Sequence, residues 1–251
     1  MKNIFFQRLT LVWILTKRDY AIQFAGTKFG LAWMVFQSIA LISLYILIFS
    51  ILNLKSSSNH YIDILSGVLF WIPIQDMILK SSQILVENRN IIKKSKIGIS
   101  LFLKVPILQF FIHLSLLFLP CLIFFVWLGK LNIFLFILNF FWMLFCVILL
   151  YPFISYLSQA NVLLKDISPM LRILLQFLFW TLPILYTPSL AWKEILSWNP
   201  FYFMLEIFRF LILKDYLPYI NWYCVVCFIL LSIFFHTFSN KKLTKIVLDQ
   251  L

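Results

Sequence analysis

Few side chains in this 251-residue sequence stand where they can do chemistry, and most of those lie inside apolar runs. Glu206 and Arg209 occur one helical turn apart within FYFMLEIFRFLIL, the stretch from Phe201 to Leu213. An acid and a base at that spacing meet on a helix surface and pair. Asp63, Gln75 and Asp76 lie in or beside another apolar run, Tyr61–Leu79. Ionisable groups at membrane depth are functional candidates by default. Asp63 falls near one end of the run and Asp76 near the other, so each fits either an interfacial anchor or a pathway residue. His113 is the histidine placed in mid-run, and its plain reading is a packing hydrogen-bond donor. Cys224 and Cys227 form a CxxC, but no second ligand pair accompanies them and thiolates are poorly stabilised in hydrocarbon. The four cysteines are read as packing residues. The sequence holds no GxxxxGK[ST], no HExxH, no carboxylate cluster and no Ser/His/Asp set at a credible spacing. Enzyme chemistry is not expected of it, nor a metal or a directly bound cofactor.

The elements that position these residues belong to a membrane protein. The chain is 63% hydrophobic and 12% charged, against about 45–50% and about 25% for a soluble domain. Apolar spans are expected at 31–52, 61–79, 105–128, 133–157, 171–186 and 222–238, each about long enough for a bilayer core of about 30 Å. Pro183 and Pro188 end the fifth. Between it and the sixth lie 191–197 and the Phe201–Leu213 stretch, opened by Asn199-Pro200. Thirteen residues make only about 20 Å of helix, too short to cross. The two pieces together are expected to form a re-entrant helical hairpin packed against protein. The fold class is therefore all-α integral membrane: six transmembrane helices, an N-terminal interfacial helix over residues 1–30, and one transmembrane domain over 31–251.

Charge placement sets the expected orientation. The N-terminal segment carries Lys2, Arg8, Lys17, Arg18 and Lys28; the second loop carries Lys80, Arg89, Lys93, Lys94, Lys96 and Lys104. The fourth loop adds Lys165 and Arg172, and the tail Lys241, Lys242 and Lys245. The opposite side keeps Lys55, Lys130, Lys193, Arg209 and Lys214. The positive-inside rule puts both termini in the cytoplasm and the hairpin outside. This asymmetry explains the net charge of +12 without nucleic acid. Phe5, Leu9, Val12 and Thr16 share one face of the first segment, as a helix lying in the membrane interface requires. Lys17-Arg18-Asp19 follows the short apolar stretch Leu9–Thr16, so a cleaved secretion signal is not expected. The loop from Val86 to Lys104 reads either as an ordinary basic loop or as a short helix resting on another protein.

Aromatic residues make up 19% of the chain. Rings stack on the C–H face of a sugar while excluding water. Trp33, Gln37 and Tyr45 in the first span, and Gln176, Phe177 and Trp180 in the fifth, mix amide and aromatic groups at helical spacing and are the substrate-channel candidates.

Several short motifs, in order, resemble the ABC-2-type permeases that export lipid-linked polysaccharides such as O-antigen, capsule and teichoic acid. Arg18-Asp19 followed by Gly30-Leu31-Ala32-Trp33 is similar to that family's RD and LGxxW opening. Asn90-Ile91-Ile92-Lys93-Lys94 resembles its NLIKK element, and Lys165-Asp166-Ile167 with Pro183-Ile184-Leu185-Tyr186 its RD…PIxY stretch. Asn199-Pro200 with Arg209 resembles the NP…R of its external helices. Ser38 stands where the family usually has proline, and Ile97-Gly98-Ile99-Ser100 where it usually has FPRE. The resemblance implies a homodimer enclosing a channel in a bacterial cytoplasmic (inner) membrane. Two copies of a separate ABC ATPase, carrying the ATP and Mg, would dock below at Glu87, Asn88, Asn90, Lys93 and Lys94. Asn199, Pro200, Glu206 and Arg209 would form the external gate, and an undecaprenyl-linked glycan would be the substrate. Permeases for drugs or lipids, and a membrane assembly subunit without transport, are the alternatives.

Overall fold

The computed structural model describes residues 2–51, 60–94, 98–127, 133–186, 188–212, 217–238 and 247. Lys55, Lys96, Lys130, Lys214, Lys241, Lys242 and Lys245 lie outside the described residues, as do the last positions of the first and third expected spans.

Within them the chain forms helices and no strands. In order these are α1 (Lys2–Gln23), α2 (Ala32–Ile51), α3 (His60–Glu87), α4 (Arg89–Lys94), α5 (Ile99–Phe102), α6 (Val105–Trp127), α7 (Ile133–Leu163), α8 (Ile167–Thr181), α9 (Leu190–Leu196), α10 (Pro200–Ile212) and α11 (Trp222–Phe238). Three helical stretches are long and apolar enough to cross a membrane: Ile62–Glu87, Ile99–Leu122 and Phe134–Leu163. Ala32–Ile48, Ile167–Thr181 and Trp222–Thr237 are apolar but shorter. The protein has the character of a helical membrane protein.

α3 and α7 run further than their apolar segments suggest, at 28 and 31 residues, or about 42 Å and about 46 Å. Pro73 and Pro152 lie inside them without ending them, since neighbouring helices hold the backbone in place. α8 stops earlier than expected. Leu182, which precedes Pro183, is extended (φ −73°, ψ 145°), as the proline ring demands of the residue before it. The segment 182–186 then folds back as a turn instead of completing the helix.

α3 is the centre of the core. Ile64, Val68, Leu69, Phe70, Trp71 and Ile74 are inaccessible, and α6, α7, α8 and α10 pack around them. A second apolar cluster ties Val12 and Leu15 of α1 to Ile84 and Leu85 of α3, Ile92 of α4, and Ile99, Phe102 and Val105 around α5 and the start of α6. α1 thus buries Val12 and Thr16 as its sequence face suggests, whereas Leu9 is exposed.

Candidate functional site

The most unusual element is α10. Pro200 occupies its first position, where the missing N–H costs nothing, and the Asn199 side-chain oxygen accepts the Phe201 N–H at 2.9 Å. The helix so started buries Tyr202, Phe203, Met204, Leu205, Glu206, Phe208, Arg209 and Ile212. Thirteen residues cannot cross a bilayer, yet this helix is among the most enclosed in the molecule.

Side chains from α7 fasten it by its backbone. Asn139 Nδ2 donates to the Phe208 carbonyl and Trp142 Nε1 to the Met204 carbonyl, each at 3.1 Å. Arg209 fastens its other side. Its Nε donates to Ser66 Oγ at 3.3 Å, and its Nη2 donates to the backbone oxygens of Asp63 (3.0 Å) and Ile184 (3.2 Å). One guanidinium therefore joins α10, the first turns of α3 and the turn after α8. Gly67 makes this junction possible, because a Cβ there would lie 2.5 Å from the Ile184 carbonyl oxygen. Glu206 is directed elsewhere: its Oε2 accepts the Tyr219 N–H at 2.9 Å, holding the segment that leads into α11. Glu206 and Arg209, expected to pair by their spacing, each anchor α10 to a different segment. Neutral backbone partners suit Arg209 because its planar fork reaches several carbonyls at once.

At the other end of α3 lies a cavity of about 430 Å³ between α1 and α3, lined among others by Arg18, Asp19, Lys80, Gln83, Glu87 and Asn88. Arg18 pairs with Asp19 at 2.6 Å and also donates to the Asn88 side-chain oxygen. Asn88 Nδ2 donates to the Ile84 carbonyl at 2.9 Å, and Lys80 Nζ to Gln23 Oε1 at 3.1 Å. Of the expected coupling residues, Asn88 is buried in this network, whereas Glu87, Asn90, Lys93 and Lys94 are exposed. Ile92 turns inward and seats α4 on the second apolar cluster, leaving its basic end outward.

Trp33 and Gln37 of α2, and Gln176, Phe177 and Trp180 of α8, are exposed. Tyr45 is half-buried, its ring 5.5 Å from that of Phe179, so that α2 and α8 meet there. The candidates divide between two neighbouring helices, and their amides face outward. An amide facing lipid goes without hydrogen-bond partners, so this face suits a wet or protein-covered setting.

One constellation was not legible in the spacing. Ser38, Asp76 and His113 lie on α2, α3 and α6, and the fold brings them together. Ser38 Oγ stands 3.4 Å from His113 Nε2, and His113 Nδ1 stands 3.3 Å from Asp76 Oδ2. Contact across three helices leaves no sequence period, so spacing alone did not bring these residues together. The geometry is not that of an activated nucleophile, because the Ser38 hydroxyl donates to the Met34 carbonyl at 2.9 Å. Asn139, Trp142, Ser66 and Gly67 were also missed. A lone amide in an apolar run and a glycine within a helix are the signals that point to them.

Comparison with protein-family models gives no match, and comparison with curated proteins gives no significant one.

Proposed function

We propose that this chain is the membrane permease subunit of an ATP-driven exporter of undecaprenyl-linked polysaccharide. The observation that carries the reading is α10, a helix too short to span that is buried and fastened from α7, α3 and the turn after α8. Beside the long apolar helices, such a piece fits a transporter, which uses broken or re-entrant helices where they line or close a cavity. In this reading α2, α3, α6, α7, α8 and α11 are six spans, with α8 completed by the turn at 182–186. α9 and α10 form the external hairpin, with Asn199, Pro200, Glu206 and Arg209 at its gate, and both termini face the cytoplasm of a bacterial inner membrane.

The outward amides and rings of α2 and α8 support a homodimer, in which Trp33, Gln37, Gln176, Phe177 and Trp180 line the path of the glycan and Tyr45 steadies it. The exposed Glu87, Asn90, Lys93 and Lys94, beside the polar cavity, support docking of two ABC ATPase subunits that bring ATP and Mg. The motif order from Arg18-Asp19 to Arg209, which resembles that of the polysaccharide-exporter permeases, supports the choice of family.

Deleting the gene and following the lipid-linked glycan tests this. Undecaprenyl-linked polymer accumulating inside the cell, with loss at the surface, is the expected result. An unchanged surface would overturn the polysaccharide assignment and leave a drug or lipid permease of the same architecture.

A further inference from the structure

A cavity of about 160 Å³ lies among α3, α7, α8, α10 and α11, and every described residue that lines it is apolar. Its walls include Ile78, Leu150, Phe153, Leu175, Phe201 and Phe228. One side is a flat aromatic slab, the rings of Phe153 and Phe228 stacking 5.1 Å apart and 5° from parallel. α8 and α11 both pack on α7 but scarcely touch each other, and the cavity occupies the gap this leaves. Leu174 of α8 lines it and is 46% exposed, so the cavity opens at that rim to the outer face of α8. That face continues with Ile173 and Phe177, both exposed.

The chemistry of the walls decides what fills the space. A buried water needs about two to four polar partners, and these walls offer none. Left empty, the lining side chains forgo their contacts on one side. An apolar cavity of about 150 Å³ stays dry even in a protein surrounded by water and takes up benzene, so this one has room for roughly six carbons. Ile78, Leu150 and Phe153 fall within stretches long and apolar enough to cross a membrane, and Leu175 and Phe228 within the shorter apolar helices. At that depth the surrounding solvent is itself hydrocarbon.

We propose that this cavity is a binding site for the acyl chain of a membrane phospholipid, which enters between α8 and α11 and completes the packing around the first turn of α10. The bilayer's own phospholipid is the source, because its tails already cover the rim. The chain gives α10 a support that the protein does not supply. Asn139, Trp142 and the Arg209 contacts fasten the helix from Met204 onward, whereas Phe201 in its first turn meets the Trp71 ring at 5.6 Å and lines the cavity. The inference rests on the six-span reading only in setting α8 and α11 against lipid, and it does not depend on which substrate is exported.

Photolabelling tests it with the full chain in nanodiscs of phosphatidylethanolamine and phosphatidylglycerol, a small share of the latter carrying a diazirine midway along one acyl chain. Light expels nitrogen and leaves a carbene that inserts into nearby C–H bonds. No residue of α7 from 150 to 157 is exposed, so adducts there report a chain inside the cavity. The expected result is labelling of 150–157 together with the outer face of α8. Leu174→Trp, which narrows the rim at an exposed position, and Ile154→Phe, which fills the floor, should each abolish the α7 adducts and keep those on α8. Adducts on α8 with none on 150–157 would overturn the site and leave the spans standing, whereas an unlabelled α8 would overturn the six-span reading and the site with it. Labelling of 150–157 that survives both variants would refute entry through this cavity. Suppression of that labelling by a low mole fraction of undecaprenyl phosphate would make the occupant an isoprenoid and refute the phospholipid assignment.

Discussion

Gly67→Ala is the substitution with the clearest consequence, although it adds a single methyl group. The new Cβ would stand 2.5 Å from the Ile184 oxygen, 2.9 Å from its Cα and 3.0 Å from its carbonyl carbon. All three are backbone atoms, so no flexible side chain can swing away. The turn after α8 must retreat, and with it the carbonyl that Arg209 Nη2 holds at 3.2 Å. Overpacking alone costs about 1–3 kcal/mol, and a weakened bond from a charged donor adds about 1 kcal/mol. A total of about 2–4 kcal/mol corresponds to a fall in Tm of about 4–16 °C in a chain of this size. Thermal unfolding in detergent measures it, with Gly98→Ala as control, since a Cβ there meets only Ser100 Oγ at 3.9 Å. A double-mutant cycle sharpens the test. Arg209→Met removes the same tether, so Gly67→Ala should cost less in that background by on the order of 1 kcal/mol. A Gly67→Ala protein melting with wild type, or costs that add within about 0.5 kcal/mol, would refute the shared junction.

Trp142→Phe keeps an aromatic side chain but loses the donor to Met204, so it should destabilise by about 1–3 kcal/mol, read by the same unfolding assay. Glu87→Ala and Asn90→Ala change exposed groups and should weaken co-purification of the ATPase without moving Tm; unaltered co-purification would remove them from the docking face. Asn88→Ala should instead lower stability by about 1–3 kcal/mol, because it strips partners from Arg18 and Ile84. Trp33→Ala and Trp180→Ala should slow export with assembly intact, and normal surface glycan would take both rings out of the path.

The helices were legible because hydrophobic length and proline placement act locally. Pro183 stopped α8 through its effect on Leu182, and Asn199-Pro200 started α10 through a cap and a missing donor. Lengths were less legible. α3 continues past Leu79 through Lys80 to Glu87 because its last turns bury Ile84 and Leu85 under α1 and α4, a tertiary gain that a hydropathy window does not see. α5 went unforeseen for the same reason: four residues form a turn only because Ile99 and Phe102 find that cluster.

The candidate site divides along the same line. Burial of Glu206 and Arg209 followed from the length of their helix, but their partners did not, because an arginine in a dry setting takes whichever acceptors the fold presents. Here those are two backbone carbonyls and a serine from segments far apart in sequence. Asn88 carries the same lesson at the other end of α3. It stood among the expected coupling residues through the family resemblance, yet it is buried and spends its amide on Arg18 and Ile84. Its influence on the exposed Glu87 and Asn90 beside it passes through the shape of the α1–α3 junction. Arg18-Asp19, on this argument, is a motif about that junction: it fixes α1 against the end of α3 and so sets where the exposed Glu87 and Asn90 stand.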